Sequence, residues 1–174
     1  MLSGKCRQMD VEIRQAGLAD AEAIANIWNQ IIRTKQYSAL DTLLSTESQR
    51  KFLTDFPQRG VFLVAADAED QQVIGFQTLE PFAAYTHAFD HVAVIGTCVK
   101  LSIRGHGIGT RLAEVGFEQA KRKGFNKLFT YVRADNQAAL NFYRKLSFLI
   151  IGTAKKHAKF GAKYVDSVFL EKFL

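Results

Sequence analysis

The sequence predicts an α/β domain of the α+β kind: a central mixed sheet of six to seven strands flanked by about four helices, in the order β-α-α-β-β-β-α-β-α-β-β. Three observations predict it. Two apolar runs, residues 61–66 (VFLVAA) and 72–79, flank a polar turn at 67–71 and read as an antiparallel hairpin. Residues 92–99 (VAVIGTCV) are almost unbroken apolar, as in a central strand covered on both faces. A helical stretch then separates that run from the strand-like residues 127–133 (KLFTYVR), and a strand–helix–strand crossover makes a parallel pair.

Each element has its own signal. Residues 11–15 alternate briefly and open the sheet. Residues 18–33 carry Ile24, Ile27, Trp28 and Ile31 at i, i+3, i+4 and i+7, an amphipathic helix, with Asp20 suited to the positive end of its dipole. Residues 34–45 are loop-like. Thr46 with Gln49 resembles a capping box opening a helix to about Gln58, which Gly60 ends. Pro81 breaks the hairpin, and the loop to Asp90 is rich in aromatics: Phe82, Tyr85 and Phe89. After the central strand a helix carries Leu112, Val115, Gly116 and Ala120 and stops at Gly124. Asp135 or Asn136 caps a helix through Leu146, and residues 148–152 and 163–170 read as closing strands.

At 174 residues with 48% hydrophobic content, one domain with a real core is expected, over residues 10–174. Residues 1–9 read as a disordered leader without the apolar stretch of a signal peptide. No apolar run approaches the ~18 residues of a membrane span, so a cytoplasmic location is expected. The two cysteines, Cys6 and Cys98, offer neither a disulfide framework nor a zinc knuckle. His87, His91, His106 and His157 lack tight ligand spacing, so no metal is expected. Lys plus Arg is 23 against 17 acids, a net charge of +6. Residues 100–127 alone hold Lys100, Arg104, Arg111, Lys121, Arg122, Lys123 and Lys127 against Glu114 and Glu118. Such a stretch suits a phosphate-bearing partner, nucleic acid or polyphosphorylated cofactor; the plain alternative is a solvated helix face.

The chemistry concentrates at Arg104-Gly105-His106-Gly107-Ile108-Gly109-Thr110, between the buried strand and a helix. Glycines there admit positive φ and close backbone approach, and the helix start offers unpaired N–H groups at the positive dipole end. Together these make an anion site, to which Arg104 adds a charged donor. No Lys follows as a Walker loop requires, and the dinucleotide spacing fails because Leu112 stands where its third glycine belongs. A tight strand-to-helix turn is the bland reading. What remains is R-x-x-G-x-G: Arg104, Gly107, Gly109.

This pattern, placed after the fourth strand, resembles the acetyl-CoA pyrophosphate loop of the GNAT superfamily of acyl-CoA-dependent N-acyltransferases. The likeness extends upstream to Gly96-Thr97-Cys98-Val99 and downstream to Asn136-x-x-Ala139-x-x-x-Tyr143 ahead of Phe148. The family pattern N-x-x-A-x-x-x-Y-x-x-x-G-F is broken once, where Ser147 replaces Gly. The resemblance covers about residues 10–173, and more distantly the chain is similar to phosphinothricin-type small-amine acetyltransferases. It implies a GNAT fold, a single N-acetyltransferase domain and acetyl-CoA as co-substrate. It further implies phosphate contacts from Arg104, Gly105, His106, Gly107, Ile108, Gly109 and Thr110, and pantetheine pairing with the backbone of Thr97, Cys98 and Val99. One of those N–H groups would serve as oxyanion hole. Asn136 would contact the pantetheine, and Tyr143 would protonate the departing thiolate.

From the residues alone, Asn136 and Tyr143 lie two turns apart on one helix face, and on spacing alone an N-cap and a core ring are the better explanation. Cys98 has no evident base partner for a covalent role. Related enzymes often carry a Glu five residues before the position of Val99, which here is Val94. Glu80, placed opposite His91 if 81–90 is the loop between antiparallel strands, is therefore the expected base, alone or through His91 and water. Residues 18–58 and 81–90 should wall the acceptor, with Trp28, Tyr37, Phe82 and Tyr85 as candidates. The expected partner is a small-molecule or peptide amine, without membrane or nucleic acid; a homodimer stays open. The rivals are a non-catalytic CoA-binding domain and a basic nucleic-acid-binding module.

Overall fold

The computed structural model describes residues 10–174, so the leader expected over residues 1–9 lies outside the described residues. The elements are β1 (Val11–Gln15), α1 (Ala21–Thr34), α2 (Thr46–Thr54), β2 (Val61–Asp67), β3 (Val73–Pro81), β4 (Val92–Val99), α3 (Ile108–Arg122), β5 (Lys127–Arg133), α4 (Gln137–Lys145), β6 (Leu149–Phe160) and β7 (Lys163–Phe173). They form one seven-stranded sheet, ordered β1-β2-β3-β4-β5-β7-β6. Every neighbouring pair is antiparallel except β4 and β5.

Successive side chains of a strand point to opposite faces. In β2, Val61, Leu63 and Ala65 enter the core shared with Ile108 and Leu112 of α3 and Leu140 of α4. Phe62 and Val64 enter a second core with Ile24, Ile27 and Ile31 of α1. Both faces of β2 are covered, which is why its sequence is continuously apolar rather than alternating. The i, i+3, i+4, i+7 stripe of α1 is the face it buries.

Several boundaries differ from expectation, each for a local reason. Ser45 rather than Thr46 caps α2, its Oγ accepting from Ser48 N at 3.0 Å, and the helix ends at Thr54, ahead of Pro57. Asp20 does not serve a free helix dipole. It is buried and accepts both Arg14 guanidinium bonds at 2.8 Å, with Gly17 N donating at 2.8 Å. The Arg14 guanidinium holds the Asp20 carboxyl below the usual carboxylate range. Asn136, not Asp135, caps α4, its Oδ1 accepting from Ala139 N at 3.1 Å. The closing hairpin is much longer than expected, because β6 runs on to Phe160. Residues 153–160 are polar since β6 is an edge strand, and Lys155, Lys156 and Lys159 keep that edge soluble.

The unequal pairing on the two sides of β4 positions the candidate site. β3 and β4 stay paired as far as Gly75 opposite Val99, whereas β4 and β5 pair only from Val92 opposite Lys127 to Val94 opposite Phe129. Beyond Val94 the two parallel strands part. Among the described residues no helix is long and apolar enough to cross a membrane.

Candidate active site

The glycine turn lies at the end of the parted strand. Gly105 and Gly107 take φ of +88° and +78°, and a Cβ at either would meet nothing within 4 Å. Gly107 is the N-cap of α3, so the first N–H groups of that helix open onto this bare backbone. Gly109 answers a different need: a Cβ there would stand 3.0 Å from the Phe142 ring of α4. Ile108 is buried against the sheet, and His106 and Thr110 are exposed. Arg104 is turned back onto the fold, its Nε donating to Val99 O at 3.3 Å and its guanidinium 4.5 Å over the Tyr37 ring.

The backbone groups of β4 divide between its two sides. Lys100 N donates to Ile74 O at 2.9 Å, and the antiparallel ladder alternates from there. Cys98 therefore turns its N–H and C=O toward β3, while Thr97 and Val99 turn theirs into the opening beside β5. This corrects the expectation for Cys98, whose backbone is committed to the sheet. Its thiol is desolvated and pushed up to about 12, hence protonated and a poor nucleophile.

Tyr143 of α4 is buried and reaches the same opening from the helix side. Burial pushes its hydroxyl up to about 12, partly opposed by hydrogen bonds from the Thr130 and Thr97 hydroxyls and from the Thr97 N–H. It is a neutral, fixed phenol with a proton to give. Thr97 Oγ1 in turn accepts from Gln77 Nε2 at 3.0 Å. A largely buried polar chain thus links β3, β4, α4 and β5 at the point where the strands part.

Asn136 spends both ends of its amide locally. Its Oδ1 caps α4 and its Nδ2 donates to Tyr37 O at 3.2 Å. Arg133 acts beside it, donating to Lys35 O at 3.0 Å and Ser38 O at 3.2 Å while Asp135 takes Nε and Nη2, both at 2.9 Å. The end of β5 and the start of α4 therefore clamp the loop that follows α1.

Glu80 does not face His91. The ladder places Glu80 opposite Val94 and Pro81 opposite Ala93, and Phe82 N still donates to Val92 O at 3.0 Å. Pairing runs past Pro81 and carries the register three residues away from the expected one. His91 O instead accepts from Asn126 N and Lys127 N at 3.0 and 3.1 Å. Burial holds the Glu80 carboxyl above its ordinary range, with a Thr78 hydrogen bond opposing the shift. Of the expected acceptor-wall aromatics, Trp28 packs on Phe76 with centroids 5.4 Å apart, Tyr37 lies under Arg104, Phe82 joins a ring cluster and Tyr85 is 85% exposed. Two surface hollows, one beside Phe117 and Phe173 and one beside Phe56 and Lys123, lie away from these groups.

Gln77, Thr130 and Arg133 escaped sequence reading. A lone polar residue inside an apolar strand was the available signal for Gln77, but its partner stands twenty positions away.

A bare glycine turn at a helix N-terminus, a parted parallel pair and a neutral phenol beside them make up the candidate site. Comparison with known proteins gives the family. Residues 25–148 match the family model described as Acetyltransferase (GNAT) family, and the chain belongs to that family. It is 24% identical over 167 residues, covering 94% of each chain, to an L-methionine sulfoximine/L-methionine sulfone acetyltransferase of Pseudomonas aeruginosa. Among solved structures it resembles a ribosomal-protein-alanine N-acetyltransferase from Brucella melitensis, with TM-score 0.86 and 27% identity over 94% of this chain and 99% of that one. It also shares its fold with a phosphinothricin acetyltransferase from Sinorhizobium meliloti solved with acetyl-CoA, with TM-score 0.87 and 20% identity over 95% and 89% of the two chains.

Proposed function

We propose that this chain transfers an acetyl group from acetyl-CoA to a primary amine of a small molecule or peptide, by direct attack in a ternary complex. One observation carries the reading: the neutral Tyr143 hydroxyl is anchored on Thr97 inside the opening that ends at the bare glycine turn. The open space at Gly105 and Gly107 fits a pyrophosphate, with N–H groups of the turn and of α3 as donors and Arg104 close by. Besides the Thr97 N–H held by Tyr143 and the Val99 carbonyl held by Arg104, the outward edge of β4 offers backbone groups to an extended pantetheine arm.

Acetyl-CoA supplies an acetyl group activated as a thioester. Glu80 takes the proton from the acceptor ammonium, which must be neutral to attack. A C–N bond forms, and charge gathers on the carbonyl oxygen. On this reading the Val99 N–H, turned toward the opening, donates to it. When the C–S bond breaks, Tyr143 gives its proton to the departing sulfur and regains one from solvent, while the new amide nitrogen sheds its extra proton. Protons balance, and no covalent enzyme intermediate is needed, in accord with the protonated Cys98. The names of the relatives support small amino acids and peptide N-termini as acceptor types.

The test is thiol release from acetyl-CoA across amino acids, amines, polyamines, aminoglycosides and peptides. Amine-dependent release with a matching acetylated product is expected. Binding of acetyl-CoA without product from any amine would leave a cofactor-binding domain, and salt-sensitive DNA binding without acetyl-CoA binding would favour the nucleic-acid module.

A further inference from the structure

Alternation along β3 puts Glu80 and Phe82 on the face that carries α1, with Phe76. The ladders extend that face sideways: Glu80 is opposite Val94, Val94 opposite Phe129, and on the next pair Tyr131 is opposite Phe169. The rings on it form one connected group. Phe82 lies 5.2 Å from Phe89 and 5.6 Å from Phe129, which stacks on Phe169 at 5.8 Å, and Phe169 reaches Tyr131 at 6.2 Å. Helix α1 packs on β3 and β4. Past that cover, Phe82, Phe89 and Tyr131 are 41%, 38% and 52% exposed.

The charges on this face are distributed unevenly. Lys127 is paired with Glu171 at 2.5 Å, and Arg133 with Asp135 at 2.9 Å. Glu80, by contrast, has the Thr78 hydroxyl and no ion pair among the described residues. A half-buried carboxylate at the corner of an aromatic floor is complementary to one kind of ligand: a cation on an apolar body. Ring faces attract a cation within about 6 Å of their centroids, and flat apolar ligands stack on rings. An amine that also carries a carboxylate brings an anion to a face whose Lys127 and Arg133 are already paired, whose His157 ring stands edge-on against Phe169 at 5.5 Å, and whose own acid repels it.

We infer that the acceptor is a primary amine on an aromatic or similarly apolar body without a carboxylate, laid on Phe129 and Phe169 with its nitrogen toward Glu80. This rests on the acetyl-transfer reading above and specifies its acceptor. It separates this chain from its Pseudomonas relative, named for amino-acid acceptors that carry a carboxylate.

The experiment compares kcat/KM for phenethylamine, spermidine, L-methionine sulfone and an alanine-initiated peptide, in the intact protein and in Phe129→Leu and Phe169→Ala. Phenethylamine is expected to lead by at least ~10-fold, and Phe169→Ala to lower its kcat/KM by about 10- to 100-fold, chiefly through KM. Acetyl-CoA affinity, measured by calorimetry on each variant, is expected to stay unchanged and reports that the variant is folded. The milder Phe129→Leu keeps the test open should Phe169→Ala not fold. Preference for spermidine, methionine sulfone or the peptide overturns the inference while leaving acetyl transfer standing. Acetyl-CoA binding with no amine acetylated defeats the transfer reading and the inference with it. A fall from dimer to monomer in Phe169→Ala, with amine preference unmoved, makes the floor an interface between copies and overturns the acceptor assignment.

Discussion

Glu80 stands directly across the β3–β4 ladder from Val94, on the same face of the sheet. Val94 is the position at which the resemblance leads one to look for a carboxylate, so the acid sits one strand over at the same level. A base must be ionised to work, and burial raises the Glu80 carboxyl, so with Glu80 as the base activity is expected to be lost on acidification at a higher pH than an ordinary Glu would set. Glu80→Gln is expected to lower kcat/KM by at least ~100-fold and to remove that acidic limb. Adding Val94→Glu to this variant should restore part of both. A pH–rate profile superimposable on wild type would leave solvent as the base.

Tyr143→Phe keeps the ring in the core and deletes only the hydroxyl. kcat is expected to fall by roughly 10²–10⁴ while acetyl-CoA affinity barely changes. Because burial pushes the Tyr143 hydroxyl up to about 12, the wild-type profile should show no alkaline limb from this group in the neutral range. Stopped-flow kcat across pH checks both statements, and an unaltered kcat would reduce Tyr143 to packing.

Gly107→Val places a branched Cβ at a φ of +78°, where side chains are strained, and into the open space of the turn. Calorimetry is expected to show acetyl-CoA affinity lowered by at least ~10-fold, the loss of one charge-assisted phosphate bond being worth about 1.5–3 kcal/mol. Circular dichroism should show the fold retained. Unchanged affinity in folded protein would move the phosphate site elsewhere.

Gly116 of α3 is tied to Gln77, since a Cβ at Gly116 would come within 2.0 Å of Gln77 Oε1 and 3.2 Å of Leu79 Cδ1. Gly116→Ala must push the amide away from Thr97 and is expected to cost about 1–3 kcal/mol in urea unfolding. Gln77 Oε1 is buried without a hydrogen-bond partner. Gln77→Leu should therefore be close to neutral in stability, yet lower kcat by releasing the Thr97 hydroxyl that steadies Tyr143. Equal losses of stability and kcat in Gln77→Leu would assign Gln77 to packing.

Ser147 holds φ of +64° where α4 ends, with Phe148 N donating to Tyr143 O at 3.0 Å to close the helix. The related pattern has Gly there, and the structure gives the reason: the left-handed turn strains any residue with a Cβ. Ser147→Gly is expected to raise the unfolding free energy by about 1 kcal/mol, read as a higher urea midpoint at unchanged slope.

The sequence made the periodic and crowded parts of the molecule legible. The stripe of α1, the two-sided burial of β2 and the three glycines around the start of α3 each leave a local signature, whereas β4, read as covered on both faces, is buried mainly in its first half. The closing hairpin did not, because the far half of β6 is an exposed edge whose polar residues look like loop. The register at Glu80 differs from expectation by three positions, since Pro81 marks an end locally while Phe82 continues the ladder. Gln77, Thr130 and Arg133 take their meaning from partners on other elements, and spacing along one segment cannot show those. The spacing of Asn136 and Tyr143 was readable, but not that Asn136 clamps the loop at Tyr37.

The short seam between β4 and β5 makes the sheet two plates riveted at one end. Three residue pairs of the ladder join the plate β1–β4 to the plate β5–β7, and beyond them Tyr143 bridges the two through Thr97 and Thr130. Anything lying in the gap with contacts on both plates acts as a second rivet. Its binding energy then appears as mechanical stiffness, with slower amide exchange at Thr97, Val99 and Val132 and a melting temperature that climbs with ligand concentration.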